Sequence, residues 1–112
     1  VFNGRAMIAE GADGSSVQQS NANLLLSRLA EMDTKPELEI CADEVEASHG
    51  ATVGQLDESA VFYLRTRGLS EAEARRLLTA AFCHAVTSKL DNQGLAESIG
   101  AMVDAAMPES EL

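Results

Sequence analysis

At Asp57 the spacing of apolar residues changes from that of strands to that of helices, and this switch limits the folds open to the chain. It lies within the run from Lys35 to Gly68, KPELEICADEVEASHGATVGQLDESAVFYLRTRG. Upstream, Leu38 and Ile40 alternate with Glu37 and Glu39, the period of a half-buried strand. Downstream, Asp57 can cap a helix from Glu58 to about Arg67, with Gly68 placed to end it in the left-handed conformation. A single histidine, His49, precedes the switch, in Ser48-His49-Gly50-Ala51-Thr52-Val53-Gly54. Two segments follow from this: residues 1–56, rich in strands and turns, and residues 57–112, helical.

In residues 1–56, Phe2-Asn3-Gly4 reads as a turn, Arg5 to Ala9 as a short strand and Glu10 to Ser16 as a loop. Gln18 to Asn23 is a polar tract before Leu24-Leu25-Leu26, and Thr34-Lys35-Pro36 is expected to break the chain. Val45, Ala47 and Ala51 to Val53 suggest further short extended pieces. Short strands with frequent corners fit a sandwich, a barrel or a parallel β-helix. The last is favoured on two counts. Hairpin signals are lacking apart from Asn3-Gly4, and Asn and Gln adjoin apolar residues, as side chains capping successive corners would.

The helical segment has stronger punctuation. Ser70 and Glu73 make a capping box. Ala74, Leu77, Leu78, Ala81, Phe82, Ala85 and Val86 recur at intervals of three and four and define an apolar stripe. Gly94 interrupts near Asp91-Asn92-Gln93, and a last helix is expected to present Leu95, Ile99, Met102, Val103 and Ala106 on one face. Pro108 is expected to stop it and to open a frayed tail to Leu112. So small a helical segment would be marginal alone, so packing on a larger body or a partner is expected.

The chain has 112 residues and a formal net charge of −10, with acids in excess in both segments. An acidic surface repels phosphate backbones, and the lack of Trp removes a stacking platform, so nucleic acid is not expected as a partner. One alternative is kept. Arg65, Arg67, Arg75 and Arg76 flank Gly68-Leu69-Ser70 as in a helix-turn-helix reader of nucleic acid. No apolar run approaches the roughly 18 residues of a membrane helix. The chain starts at Val1 without an initiator Met and is expected to be the C-terminal piece of a longer protein.

No catalytic set assembles from spacing. Gly11 to Ser16 lacks a phosphate-loop pattern, and the serines lack a nucleophile elbow. Asp43, Glu44 and Glu46 lack calcium-loop spacing and read as a solvated acidic edge. Cys41 and Cys83 form no CxxC pair and read as small buried hydrophobes in a reducing compartment. His84 beside Cys83 has no second ligand at three or four residues' distance and reads as a boundary helix position. His49, flanked by small residues, could ligate a metal or move a proton, or be a plain corner histidine.

Asp33-Thr34-Lys35-Pro36-Glu37-Leu38-Glu39-Ile40, Ala42-Asp43-Glu44-Val45, Ser48 to Gly54 and Phe62 to Gly68 together resemble the C-terminal part of the SufB/SufD family of iron–sulfur cluster assembly proteins. Phe2-Asn3-Gly4 and Gln19 to Leu26 fit the same pattern, so the resemblance spans essentially the whole chain. It is closer to the SufD branch: SufB sequences typically read Glu-Ala-Thr after the histidine, where this chain has Gly50-Ala51-Thr52. A SufB-like subunit is the alternative. The resemblance implies the end of a right-handed parallel β-helix (residues 1–56) followed by a small C-terminal helical domain (57–112). It implies a non-catalytic scaffold subunit that pairs with SufB near His49 and docks the SufC ATPase through residues 57–90. His49 would then be a metal ligand for a nascent iron–sulfur cluster at the SufB interface, with no cofactor held stably. A bacterial cytoplasmic or plastid location is implied. One departure stands out: where many SufD sequences have Cys two residues before the histidine, this chain has Ala47.

Overall fold

A computed structural model describes residues 1–107; the expected stop at Pro108 and the tail to Leu112 lie outside the described residues. The chain divides into two compact units, Val1–Gln55 and the part from Leu56 onward.

The first unit holds four strands: β1 (Phe2–Ile8), β2 (Ser16–Leu25), β3 (Thr34–Ile40) and β4 (Glu46–Gln55). Each strand pairs in parallel with the next but one. β1 lies beside β3, with Phe2 opposite Thr34 and Ile8 opposite Ile40, and β2 lies beside β4, with Ser16 opposite Glu46 and Leu25 opposite Gln55. Parallel pairing requires a crossover, which explains the lack of hairpin signals: β2 is the return path between β1 and β3.

The corners stack as well as the strands. Gly14 N–H donates to the Glu44 carbonyl at 3.1 Å, and Asp43 N–H donates to the Asp13 carboxylate at 2.8 Å. Gly14 (φ 76°) and Glu44 (φ 53°) occupy equivalent places, and both are left-handed. The chain therefore makes the same corner twice, thirty residues apart. Asp43 and Glu44 belong to that corner through their backbone, and both are exposed, as expected of a solvated acidic edge.

Two expected breaks are instead inside strands. Phe2-Asn3-Gly4 opens β1, because Phe2 N–H donates to the Asp33 carbonyl at 2.8 Å and the next residues pair with β3. Thr34-Lys35-Pro36 opens β3 opposite the same residues. β3 has a strand neighbour on one side only among the described residues, so the missing N–H of Pro36 can face away from the ladder. The separate pieces expected around Val45 to Val53 form one continuous β4.

The second unit holds α1 (Glu58–Thr66), α2 (Glu71–Thr87) and α3 (Gln93–Ala106). The Asp57 carboxylate accepts from Ser59 N–H and starts α1. Gly68 (φ 101°) ends it: Gly68 N–H donates to Arg65 and Leu69 N–H to Leu64, the two bonds of a Schellman turn. The Ser70–Glu73 capping box is closed in both directions, and Asn92 caps α3, so Gly94 sits in its first turn rather than interrupting it.

The apolar stripes are only partly buried. On α2 the covered positions include Ala74, Leu78, Thr79, Cys83 and Thr87, whereas Leu77, Ala81, Phe82, Ala85 and Val86 face out. On α3, Ile99, Gly100 and Val103 are covered while Leu95 and Met102 are exposed. Small residues take covered places: Ala74 and Gly100 are buried, and a Cβ at Gly100 would lie 3.3 Å from His84 Cε1. Among the described residues only Ile8, Val61 and Ala74 are fully buried apolar side chains. Such slender cores fit units that need further surface to cover them.

Candidate functional site

His49 lies in the middle of β4, exposed, directly opposite Gln19 of β2. Residues opposite each other in parallel strands point to the same side of the sheet. His49 therefore shares a face with Ala47, Ala51 and Val53 on β4 and with Val17, Gln19, Asn21 and Asn23 on β2. On β2 this face is the covered one: Val17, Gln19, Asn21 and Asn23 are half-buried and the alternating Gln18, Ser20 and Ala22 are exposed. The expected corner tract Gln18 to Asn23 is thus the polar inner face of a strand.

That inner face is a hydrogen-bonded ladder. Asn21 Oδ1 accepts from Thr34 Oγ1 and from Asn23 Nδ2, both at 2.6 Å, and Asn23 Nδ2 also donates to the Thr52 carbonyl at 3.1 Å. These bonds join β2 to β3 and to β4. Gln19 extends toward β1: a Cβ on Gly4 would lie 2.4 Å from Gln19 Nε2, so a side chain there would have to displace the amide. Gln19 Oε1 is enclosed and accepts no hydrogen bond. Sequence reasoning missed Gln19. The signal that could have found it is the repeat of Asp13-Gly14 at Asp43-Glu44, which sets the thirty-residue register placing position 19 beside 49.

No three His, Cys, Asp or Glu side chains converge to hold a metal ion among the described residues. Ala47, two residues before His49 on the same face, adds no ligand atom. At this position the chain offers one imidazole, which by itself does not make a closed metal centre. Cys41 is exposed and Cys83 half-buried, and both are free thiols, so the expectation of burial fails for Cys41. Its amide donates to the Ile8 carbonyl at 2.9 Å, which holds it at the open end of β3.

His84 is better connected than its sequence context suggests. Its Nε2 lies 2.8 Å from Asp104 Oδ1 on α3, and its Nδ1 lies 3.3 Å from Thr87 Oγ1. The three line a shallow recess with Glu97 and Gly100. The Thr87 hydroxyl donates to the His84 carbonyl of its own helix, and the group reads as a tie between helices. Three of the four basic residues considered for nucleic acid are engaged elsewhere. Arg75 bonds Glu58 and Glu71, which raises its pKa above the ordinary arginine value, and Arg67 bonds the Tyr63 hydroxyl at 2.8 Å. Arg65 lies 3.9 Å from Glu71. Guanidinium groups paired in this way are poorly placed to meet phosphates.

Comparison with known proteins agrees with this layout. Residues 1–82 match the family model described as SUF system FeS cluster assembly, SufBD core domain. The chain is 44% identical over 108 residues to the iron–sulfur cluster assembly protein SufD of Escherichia coli, covering 96% of this chain and 26% of that protein. It is 34% identical over 104 residues to SufD of Bacillus subtilis, covering 93% and 24%. It is 37% identical over 93 residues to the chloroplastic protein ABCI7 of Arabidopsis thaliana, covering 83% and 20%. The chain thus spans about a quarter of the length of these relatives.

Proposed function

Because the chain belongs to the SufBD family of the SUF iron–sulfur cluster assembly system, we propose that it is the C-terminal part of a SufD scaffold subunit. In this reading it pairs with SufB through β4 and docks the SufC ATPase through residues 57–90. The observation that carries the reading is the setting of His49. It is an exposed imidazole on a ten-residue strand that has a hydrogen-bonded neighbour on one side only among the described residues. An open strand is a ready template for another chain. The same position lets one ligand atom meet others supplied across the contact.

The paired strands support a further step: β1 to β4 would be the last two coils of a right-handed parallel β-helix. The offsets of Phe2 from Thr34 and of Ser16 from Glu46 are those of stacked coils, and the repeated corner at Gly14 and Glu44 supports the same reading.

The role is non-catalytic. The iron–sulfur cluster is cargo, assembled and passed on. A neutral imidazole suits iron as a borderline nitrogen ligand, and a second shell would orient it. ATP hydrolysis belongs to SufC, and its movement would reach β4 through the helical unit. The proposed compartment is the bacterial cytoplasm, with the plastid as alternative; none of the described helices is long and apolar enough to cross a membrane.

The test is His49→Ala in the full-length subunit within the assembled complex. The expected result is loss of cluster assembly in cells with the complex still recovered intact. Unchanged assembly sinks the ligand role, and loss of the complex alone makes His49 a contact residue.

A further inference from the structure

We propose that Gln19 is the positioning residue for His49. Its side-chain carbonyl accepts the imidazole N–H and holds the ring in one neutral tautomer, leaving the lone pair of the other nitrogen turned outward. The inference rests on the reading of His49 as a ligand and adds the group that prepares it.

Three independent observations converge on Gln19. First, it is directly opposite His49, on the same face of adjacent parallel strands. Such strands lie about 4.8 Å apart, within reach of two side chains of this length. Second, Gln19 Oε1 is enclosed and lacks a donor. Its neighbours on the ladder, Asn21 and Asn23, are both bonded. A buried acceptor without a donor is expensive, so a group that can donate to it is favoured there. Third, the amide has room beside Gly4. Its Nε2 occupies the space a side chain at position 4 would fill, and Gly4 leaves that space open.

A ligating histidine characteristically donates its second ring N–H to an acceptor, which sets the tautomer and the ring plane. His49 makes no hydrogen bond to Gln19 in the structure; the bond forms when the exposed His49 side chain turns toward β2, where Gln19 Oε1 is the acceptor opposite it in register. Carboxylates are the usual acceptors in this role. An amide carbonyl accepts the same bond without adding negative charge, so the metal-facing nitrogen is oriented while the net charge of the site stays unchanged.

The experiment uses full-length subunit labelled with 15N-histidine, His49 being assigned with His49→Gln. Ring 15N shifts are read at a pH where the imidazole is neutral. The wild type is expected to hold one tautomer. Gln19→Leu, which keeps shape and removes the acceptor, is expected to shift the tautomer ratio roughly two- to tenfold, the worth of one hydrogen bond. Gln19→Glu keeps an acceptor and is expected to retain the bias. Should Gln19→Leu prevent folding, the Gln19→Glu comparison with the wild type still decides, because a lost bias there overturns the proposal. An unchanged ratio in well-folded Gln19→Leu also overturns it. The two readings fail separately. If His49→Ala abolishes assembly while Gln19→Leu alters neither tautomer nor assembly, the positioning role is wrong. If Gln19→Leu moves the tautomer while His49→Ala leaves assembly intact, the positioning stands and the ligand role is wrong.

Discussion

His84 on α2 and Asp104 on α3 meet at 2.8 Å, beside the point where Gly100 lets the two helices approach. A Cβ at Gly100 would lie 3.3 Å from His84 Cε1, so packing and polar contact share one location. Both partners are substantially exposed, which limits the worth of the pair. Asp104→Ala is expected to lower stability by less than about 1 kcal/mol. Gly100→Leu drives a side chain into the same contact and is expected to cost about 1–3 kcal/mol. Denaturant unfolding of the two variants in the full-length protein gives the order. A larger loss for Asp104→Ala than for Gly100→Leu would mean that the charge, not the close approach, holds α2 to α3.

The start of α2 carries a pH dependence whose sign is fixed by its hydrogen bonds. Ser70 N–H and the Ser70 side chain hold the Glu73 carboxylate below the usual carboxylate range. A carboxyl whose pKa is lowered on folding stabilises the folded state above its unfolded value. That contribution is lost as pH falls through the lowered value. Amide exchange protection in the first turn of α2 should therefore fall on acidification below the ordinary glutamate pKa. Glu73→Gln keeps an acceptor for the capping box without the charge and is expected to remove the dependence. Persistence of the same pH profile in Glu73→Gln would assign it to another group.

Gly14 and Glu44 make the same left-handed corner with different residues, and this gives a paired prediction. Gly14 adopts φ 76° freely, whereas a side chain there costs about 1–2 kcal/mol. Gly14→Ala is expected to destabilise by that amount, less about 0.4–1 kcal/mol regained from a stiffer unfolded chain, with no clash contributing, since nothing lies within 4 Å of the new Cβ. Glu44→Gly relieves comparable strain at φ 53° but frees the unfolded chain, a loss of about 0.4–1 kcal/mol. The net gain should stay below about 1 kcal/mol. Thermal unfolding of both variants checks the pair: shifts of opposite sign and similar size are expected, and shifts of the same sign would contradict the strain argument.

The helix ends were legible in the sequence because caps are local. Asp57, Gly68, Ser70 and Glu73 each act within five residues, and all four act in the structure as their chemistry implies. The strand pairing was not legible in the same way. Asn3-Gly4 and Lys35-Pro36 carry turn chemistry, yet they lie opposite each other within β1 and β3, where long-range pairing overrides local preference. Gln19 was hidden for the same reason: its partner is thirty residues away. The stripe on α2 was readable as a period, but which part of it is covered depends on where small residues let helices approach.

The outward part of that stripe supports the last prediction. Ala81, Phe82, Ala85 and Val86 are adjacent on the helix surface and face out, and Val86 is 66% exposed. An acidic protein gains nothing in solubility from such a patch, so it is a candidate for cover by a larger body. If that body is the SufC ATPase, Val86→Glu should leave folding intact, since the side chain packs on little within its own unit. The same change should weaken capture of SufC, because a carboxylate entering an apolar contact must be desolvated without a partner. A loss of tenfold or more in affinity is expected for a buried, unpaired charge, a change of about 1.4 kcal/mol. Titration calorimetry with purified SufC and the full-length subunit measures it, with circular dichroism as the folding control. Unaltered SufC affinity in a folded Val86→Glu protein would place the docking surface elsewhere on residues 57–90. A folding defect would instead show that Val86 contributes to the stability of the folded subunit.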